Sequence, residues 1–141
     1  MKFSVRYQSR GGNTRAVAEV IAETLGVKAE PVTVPLDENA DILFIGGALY
    51  AWRIDKKLKK FIDNIPAEKI GKIAVFGTSG GQENVIKKIT EYAAKKGIKA
   101  DERSLYVPMG FQGNAIFGRK GGNLTERQIS SIKKFAGDFI Q

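Results

Sequence analysis

Apolar side chains recur along this chain in two alternating periods. Phe3, Val5 and Tyr7 lie two apart, the spacing of one strand face over residues 2–7. Val17, Val20, Ile21 and Leu25 then follow the three-and-four spacing of a helix face, closed by Gly26. Residues 29–34 read as a second strand that Pro35 ends. Residues 41–46 and 72–77 are near-continuous apolar runs, as a parallel strand covered on both faces requires. Leu58, Phe61, Ile62 and Ile65 mark a helix between those two runs, and Val85 or Ile86, Ile89 and Ala93 mark another that stops at Gly97. Residues 99–107 read as a fifth strand. Thr125 and Gln128 have the spacing of a capping box, opening a last helix through Ile129, Ile132, Ala136, Phe139 and Ile140.

Counted as five strands and five helices in strict alternation, the pattern predicts a doubly wound, five-stranded parallel sheet in three layers, α/β/α. No linker, repeat or shift of composition interrupts it, so residues 1–141 are expected to form a single domain. Ligands of such sheets sit beyond the carboxyl ends of the strands, where strand order reverses. Three loops qualify: 8–14, 46–55 and 77–83.

The first of these loops is the most telling. Ser9-Arg10-Gly11-Gly12-Asn13-Thr14 joins a strand to a helix N-terminus. Two glycines allow a tight turn and close backbone approach, and the first helical N–H groups add the positive end of the helix dipole. Ser9, Asn13 and Thr14 supply uncharged donors, a set that suits a phosphate monoester. A Walker loop would place a Lys before its Ser or Thr, and a dinucleotide fingerprint needs three spaced glycines; neither is present. The same string also fits an ordinary glycine-rich turn. The second loop carries Leu49, Tyr50, Ala51 and Trp52, including the only Trp, and the third carries Thr78, Ser79, Gly80 and Gly81.

Composition narrows the chemistry. The chain has neither cysteine nor histidine, which removes thiol nucleophiles, thiolate metal sites, His-based triads and most zinc chemistry. A phosphoacceptor domain needs acidic residues where the first strand ends, and Arg6, Tyr7 and Gln8 stand there instead. No acid falls in the three loops before Asp55 and Glu83, so a hydrolase lacks its base and the chemistry must belong to a cofactor. No apolar run approaches the ~20 residues of a membrane span, and the N-terminus does not read as a signal peptide; a soluble cytoplasmic protein is expected.

An aromatic surface and a phosphate cradle on neighbouring loops match what flavin mononucleotide presents, and here the chain resembles the flavodoxins over essentially its whole length. Ser9 to Thr14 fits the family's phosphate loop at every position except Gly11, where a hydroxyl is lost. Leu49, Tyr50, Ala51 and Trp52 fall on the loop that packs against the flavin ring, and Gly77-Thr78-Ser79-Gly80 fits the third loop without its aromatic residue. The resemblance implies FMN as cofactor, with Ser9, Arg10, Gly11, Gly12, Asn13, Thr14, Leu49, Tyr50, Ala51, Trp52, Thr78, Ser79, Gly80 and Gly81 around it. It also implies electron transfer to or from redox partner proteins.

Three departures shape the expectation further. The ring's second side lacks an aromatic on the third loop, so Met109, Phe111 or Phe117 would cover it, or it would stay open to a substrate. The family stabilises its one-electron-reduced flavin partly through a peptide flip that a Gly permits. Ala51, Trp52 and Arg53 offer no Gly, and Arg53 would favour an anionic reduced flavin. The net charge is +8 where familiar flavodoxins are acidic, which points to partners with acidic docking surfaces; scattered lysines without a motif argue against nucleic acid. Residues 107–124 form a long connection beside the presumed ring. They keep open an alternative, an FMN-dependent reductase or dehydrogenase of quinone or tetrapyrrole type with a substrate pocket under that loop.

Overall fold

A computed structural model describes residues 1–79, 82–110 and 121–140. Its elements run β1 (Phe3–Tyr7), α1 (Asn13–Leu25), β2 (Ala29–Pro31), β3 (Ala40–Gly47), β4 (Leu49–Tyr50), β5 (Arg53–Ile54), α2 (Lys56–Asp63), β6 (Ile70–Gly77), α3 (Gln82–Lys95), β7 (Ala100–Tyr106) and α4 (Glu126–Gly137). β1, β2, β3, β6 and β7 form one sheet in the order β2-β1-β3-β6-β7, and every pairing in it is parallel. This is the flavodoxin-like α/β arrangement. The order reverses between β1 and β3, so the loops leaving those two strands part at one crevice.

Strict alternation of side chains sorts the sheet into two cores. Val5, Ile42, Phe44, Ala74 and Phe76 face α1 and α4, meeting Val17, Ala18, Ile21, Ile132, Phe135 and Phe139. Leu43, Ile45, Ile73 and Val75 face the other way, onto Leu58, Phe61 and Ile62 of α2 and Val85, Ile89 and Ala93 of α3. Each fully buried aliphatic side chain is worth about 1.5–3 kcal/mol. Phe44 anchors the first core, edge-on to Phe3, Phe135 and Phe139 with ring centroids 4.9–6.0 Å away; truncating it to Ala would cost about 3–5 kcal/mol.

Helix ends follow the sequence signals. α1 stops at Gly26 with φ 73°, the left-handed cap for which glycine is suited. α4 opens with the reciprocal Thr125–Gln128 capping box.

Three expectations are corrected. The described residues hold four α-helices rather than five, because residues 32–39 between β2 and β3 form a turn and an extended loop. The second strand ends at Pro31 rather than Val34: the chain turns there, with the Val34 N–H donating to the Pro31 carbonyl at 3.0 Å. The cause is the buried Arg6, whose Nε and Nη2 donate to the carbonyls of Val34 and Pro35, both at 3.0 Å. Burial pushes this guanidinium down from its ordinary pKa, opposed by Glu30 and Asp37. Finally, the loop after β3 contains an antiparallel hairpin, β4–β5, that no periodicity announced.

Candidate functional site

The three loops do converge at the carboxyl end of the sheet. β1 and β3 are tied there by the Gln8 N–H donating to the Gly46 carbonyl at 3.0 Å. Beyond this point Ser9 Oγ accepts from the Gly12 N–H at 3.0 Å, curling the first loop. Gly12 has φ 94°, a left-handed conformation that lets the chain enter α1 directly, and no side chain caps that helix. The N-terminus of α1 is thereby turned into the loop with its dipole uncompensated by a carboxylate.

Thr14, in the first turn of α1, joins the first loop to the third. Its Oγ1 lies 2.9 Å from Oγ1 of Thr78, and both residues are buried. A hydroxyl pair uses only one of its two protons internally, so the other remains available to an anion. Asn13, expected as a donor through its amide nitrogen, accepts at Oδ1 from the Gly122 N–H at 2.9 Å. The Gly121 N–H donates to the Gly11 carbonyl at 2.9 Å. Residues 121–122 thus strap the phosphate-loop candidate from outside, and a Cβ on Gly121 would collide with Asn13 Oδ1 and approach the Gly11 carbonyl to 2.6 Å.

The ring-side residues sit on the hairpin. Leu49 is buried, Tyr50 is half-buried, and Trp52 is exposed at 71%. The turn residues Ala51 and Trp52 have φ 50° and 64°. The Ser79 hydroxyl donates to the Leu49 carbonyl at 3.3 Å, bracing the hairpin against the third loop. Tyr50 OH accepts from the Arg10 N–H at 3.1 Å, and the Arg10 guanidinium covers the Tyr50 ring at 4.0 Å. Burial pushes the Tyr50 phenol above its ordinary pKa, and the Arg10 N–H opposes it.

Sequence reading missed Asp55 and Gln8. Asp55 caps α2 by accepting from the Lys57 N–H at 2.8 Å, and its other oxygen accepts from Arg10 Nε at 2.9 Å and Gln8 Nε2 at 3.4 Å. An Asp immediately before the lysine-rich α2 was the available signal. The consequence is electrostatic: Arg10, compensated by the buried Asp55, joins Arg53 of β5 as a second cation at the ring-side hairpin. Met109 is not a ring cover, because it is buried among the α1 and α4 side chains. Gly80, Gly81, Phe111 and Phe117 lie outside the described residues.

These groups fit a phosphate monoester attached to a planar aromatic system. The phosphate end has an uncapped helix start, a hydroxyl pair and close-packed glycine backbone, and the nearby Asp55 is neutralised by Arg10. The ring end offers Tyr50 and Trp52.

Comparison with known proteins agrees. The archaeal flavodoxin structure is 22% identical with a TM-score of 0.76, covering 98% of this chain and 95% of that one. An apo NADH:FMN oxidoreductase is 17% identical at a TM-score of 0.64, over 99% and 88% of the two chains. In the rubredoxin oxygen:oxidoreductase of Desulfovibrio gigas the likeness is 16% identity and a TM-score of 0.69, over 96% of this chain but 34% of that one. No curated protein matches the chain. The family described as "Flavodoxin domain" matches residues 4–139. The chain belongs to the flavodoxin family, whose cofactor is FMN.

Proposed function

We propose that this protein is an FMN-dependent electron carrier that exchanges electrons with redox proteins bearing acidic docking surfaces. One observation carries the reading. Asp55, the carboxylate of the second loop, is held by Arg10, Gln8 and the start of α2, so it serves the architecture of the loops rather than a substrate. FMN supplies one- and two-electron transfer when bound. The chain's own part is then to bind and orient. Ser9, Gly11, Gly12, Asn13 and Thr14, with Thr78 behind them, would hold the phosphate at the α1 N-terminus. Leu49, Tyr50, Ala51 and Trp52 would pack against the ring, with Ser79, Gly80 and Gly81 along its other edge and Arg10 fixing the angle of Tyr50. The net charge of +8 favours acidic partners.

The test is direct. The purified protein should take up FMN one to one, show an oxidised-flavin spectrum, and accept electrons from a reduced redox protein without turning over NAD(P)H, quinones or tetrapyrroles. A chain that takes up no flavin refutes the reading, and steady-state turnover of a small substrate moves it to the reductase class.

A further inference from the structure

Many cations of the described residues have no carboxylate partner, and four of these gather in one groove. Arg6, Arg10, Arg15, Lys72, Lys87, Lys96, Arg103 and Lys134 each have a carboxylate within 4 Å. Arg53, Lys59, Lys88 and Lys95 have none among the described residues. These four come from three elements, β5, α2 and α3, and line one groove of about 230 Å³.

The same groove holds Trp52, the most exposed aromatic side chain among the described residues at 71%. Its carbonyl accepts from Lys88 Nζ at 2.6 Å, which fixes the turn to α3 while the indole stands clear. Tyr92 forms the floor, with Lys59 Nζ 5.8 Å from its ring centroid. Glu91 lines the groove and Lys87 partners it at 3.9 Å, while Asp63, which accepts from the Tyr92 hydroxyl at 2.6 Å, is partnered by Lys96 at 3.1 Å. An exposed Trp among cations that outnumber the neighbouring acids has the composition of an interface hot spot. Its surplus charge selects the sign of the partner.

We infer that the groove bounded by Trp52, Arg53, Lys59, Lys88 and Lys95 is the docking site for an acidic electron-transfer protein. A carboxylate-rich patch meets the cations while an apolar side chain packs on the Trp52 indole. The inference rests on the electron-carrier reading, and its position supports it: Trp52 belongs to the ring-side hairpin, so a partner seated here reaches the edge of the cofactor. The alternative macromolecule, single-stranded nucleic acid stacking on Trp52, is separated by the test.

The experiment uses the FMN-loaded protein and a reduced, acidic plant-type ferredoxin as electron donor, one electron passing per encounter. Its second-order rate should fall at least about tenfold as salt screens the cations. The double substitution Lys59→Glu with Lys95→Glu should slow it at least about tenfold at low salt. Lys28→Glu with Lys69→Glu, exposed positions beside the amino ends of β2 and β6, changes net charge equally and should slow it less than about threefold. Equal slowing by both pairs assigns the effect to global charge and overturns the site, as does no slowing by either. A groove pair that abolishes binding of a fluorescent oligodeoxythymidine yet spares the ferredoxin reaction also overturns it. FMN titration comes first: wild-type protein that binds no flavin strikes down the electron-carrier reading itself, before any partner is added, and the docking proposal with it.

Discussion

Thr14→Val tests whether the hydroxyl bridge between the first and third loops serves the cofactor as well as the fold. Valine keeps the shape and removes the hydroxyl. In the cofactor-free protein it leaves the buried Thr78 Oγ1 without its 2.9 Å partner. An unsatisfied buried hydroxyl costs about 1–3 kcal/mol, whereas removing both partners is nearly neutral. With roughly 2.1 cal/mol/K of unfolding entropy per residue, 1 kcal/mol moves Tm by about 3 °C in a chain of this length. Thr14→Val should therefore lower the apo Tm by about 3–10 °C, and Thr14→Val with Thr78→Val should recover part of that loss. The cofactor adds an independent readout. At a hundredfold excess over Kd a ligand contributes about 2.7 kcal/mol, and after a tenfold loss of affinity about 1.4 kcal/mol. The FMN-induced rise in Tm should accordingly shrink from about 8–9 °C to about 4–5 °C in the single variant. Differential scanning fluorimetry with and without FMN, backed by FMN titration, measures both. A double variant whose loss equals the sum of the singles refutes the bridge, and an unchanged FMN-induced shift places the phosphate away from Thr14.

Gly121→Ala should force residues 121–122 off Gly11 and Asn13; overpacking of roughly 1–3 kcal/mol predicts an FMN affinity weaker by about five- to 150-fold by titration, and an unaltered Kd would remove the strap from the site. Asp101 is held well below the usual carboxylate range by Arg103 at 2.9 Å, helped by Lys72, with its side chain 6% exposed. A depressed folded-state pKa stabilises above the unfolded value and loses that contribution as pH falls, so Asp101→Asn should destabilise at neutral pH and flatten the acid-unfolding curve below about pH 4; parallel curves for the two proteins would contradict this. Lys88→Met frees the Trp52 carbonyl and should increase the one-electron-reduced flavin seen in anaerobic photoreduction; equal accumulation in both proteins would show that the Lys88 bond does not hold that peptide.

The layered fold was legible because each strand run declares its burial. Ile42 to Ile45 are apolar without interruption, and the structure uses Ile42 and Phe44 on one face, Leu43 and Ile45 on the other. Helix ends were legible where one residue type decides them, as at Gly26 and Thr125. The β2–β3 connection was not, because its path depends on a contact at long range: the Arg6 guanidinium gathers carbonyls 28 and 29 residues away. The candidate site divides in the same way. Its phosphate-side string is contiguous and carries its own backbone logic. The Arg10–Tyr50–Asp55 cluster spans 45 residues of sequence, and no local period encodes a guanidinium that covers a ring while pairing with a helix cap.

The hairpin turn joins these observations. A two-residue turn with both φ values positive ordinarily takes Asn-Gly, yet Ala51 and Trp52 occupy it at 50° and 64°. Each L residue with a Cβ costs about 1–2 kcal/mol in that region. A missing glycine hinders a flip when the backbone must climb out of a relaxed conformation; here the left-handed conformation is already adopted. What resists rearrangement is instead the set of bonds around it: Lys88 on the Trp52 carbonyl, Ser79 on the Leu49 carbonyl, and the Arg10 N–H on Tyr50 OH. Strain of this kind persists only where neighbours over-determine it, and such sites cluster where function needs a fixed geometry. Here the fixed quantity is the outward display of Trp52 beside Tyr50. The turn that would pack the flavin ring is the same turn that would meet the partner, so a substitution relaxing it, such as Trp52→Gly, should disturb cofactor affinity and partner reaction together, whereas Lys59 and Lys95 reach only the second.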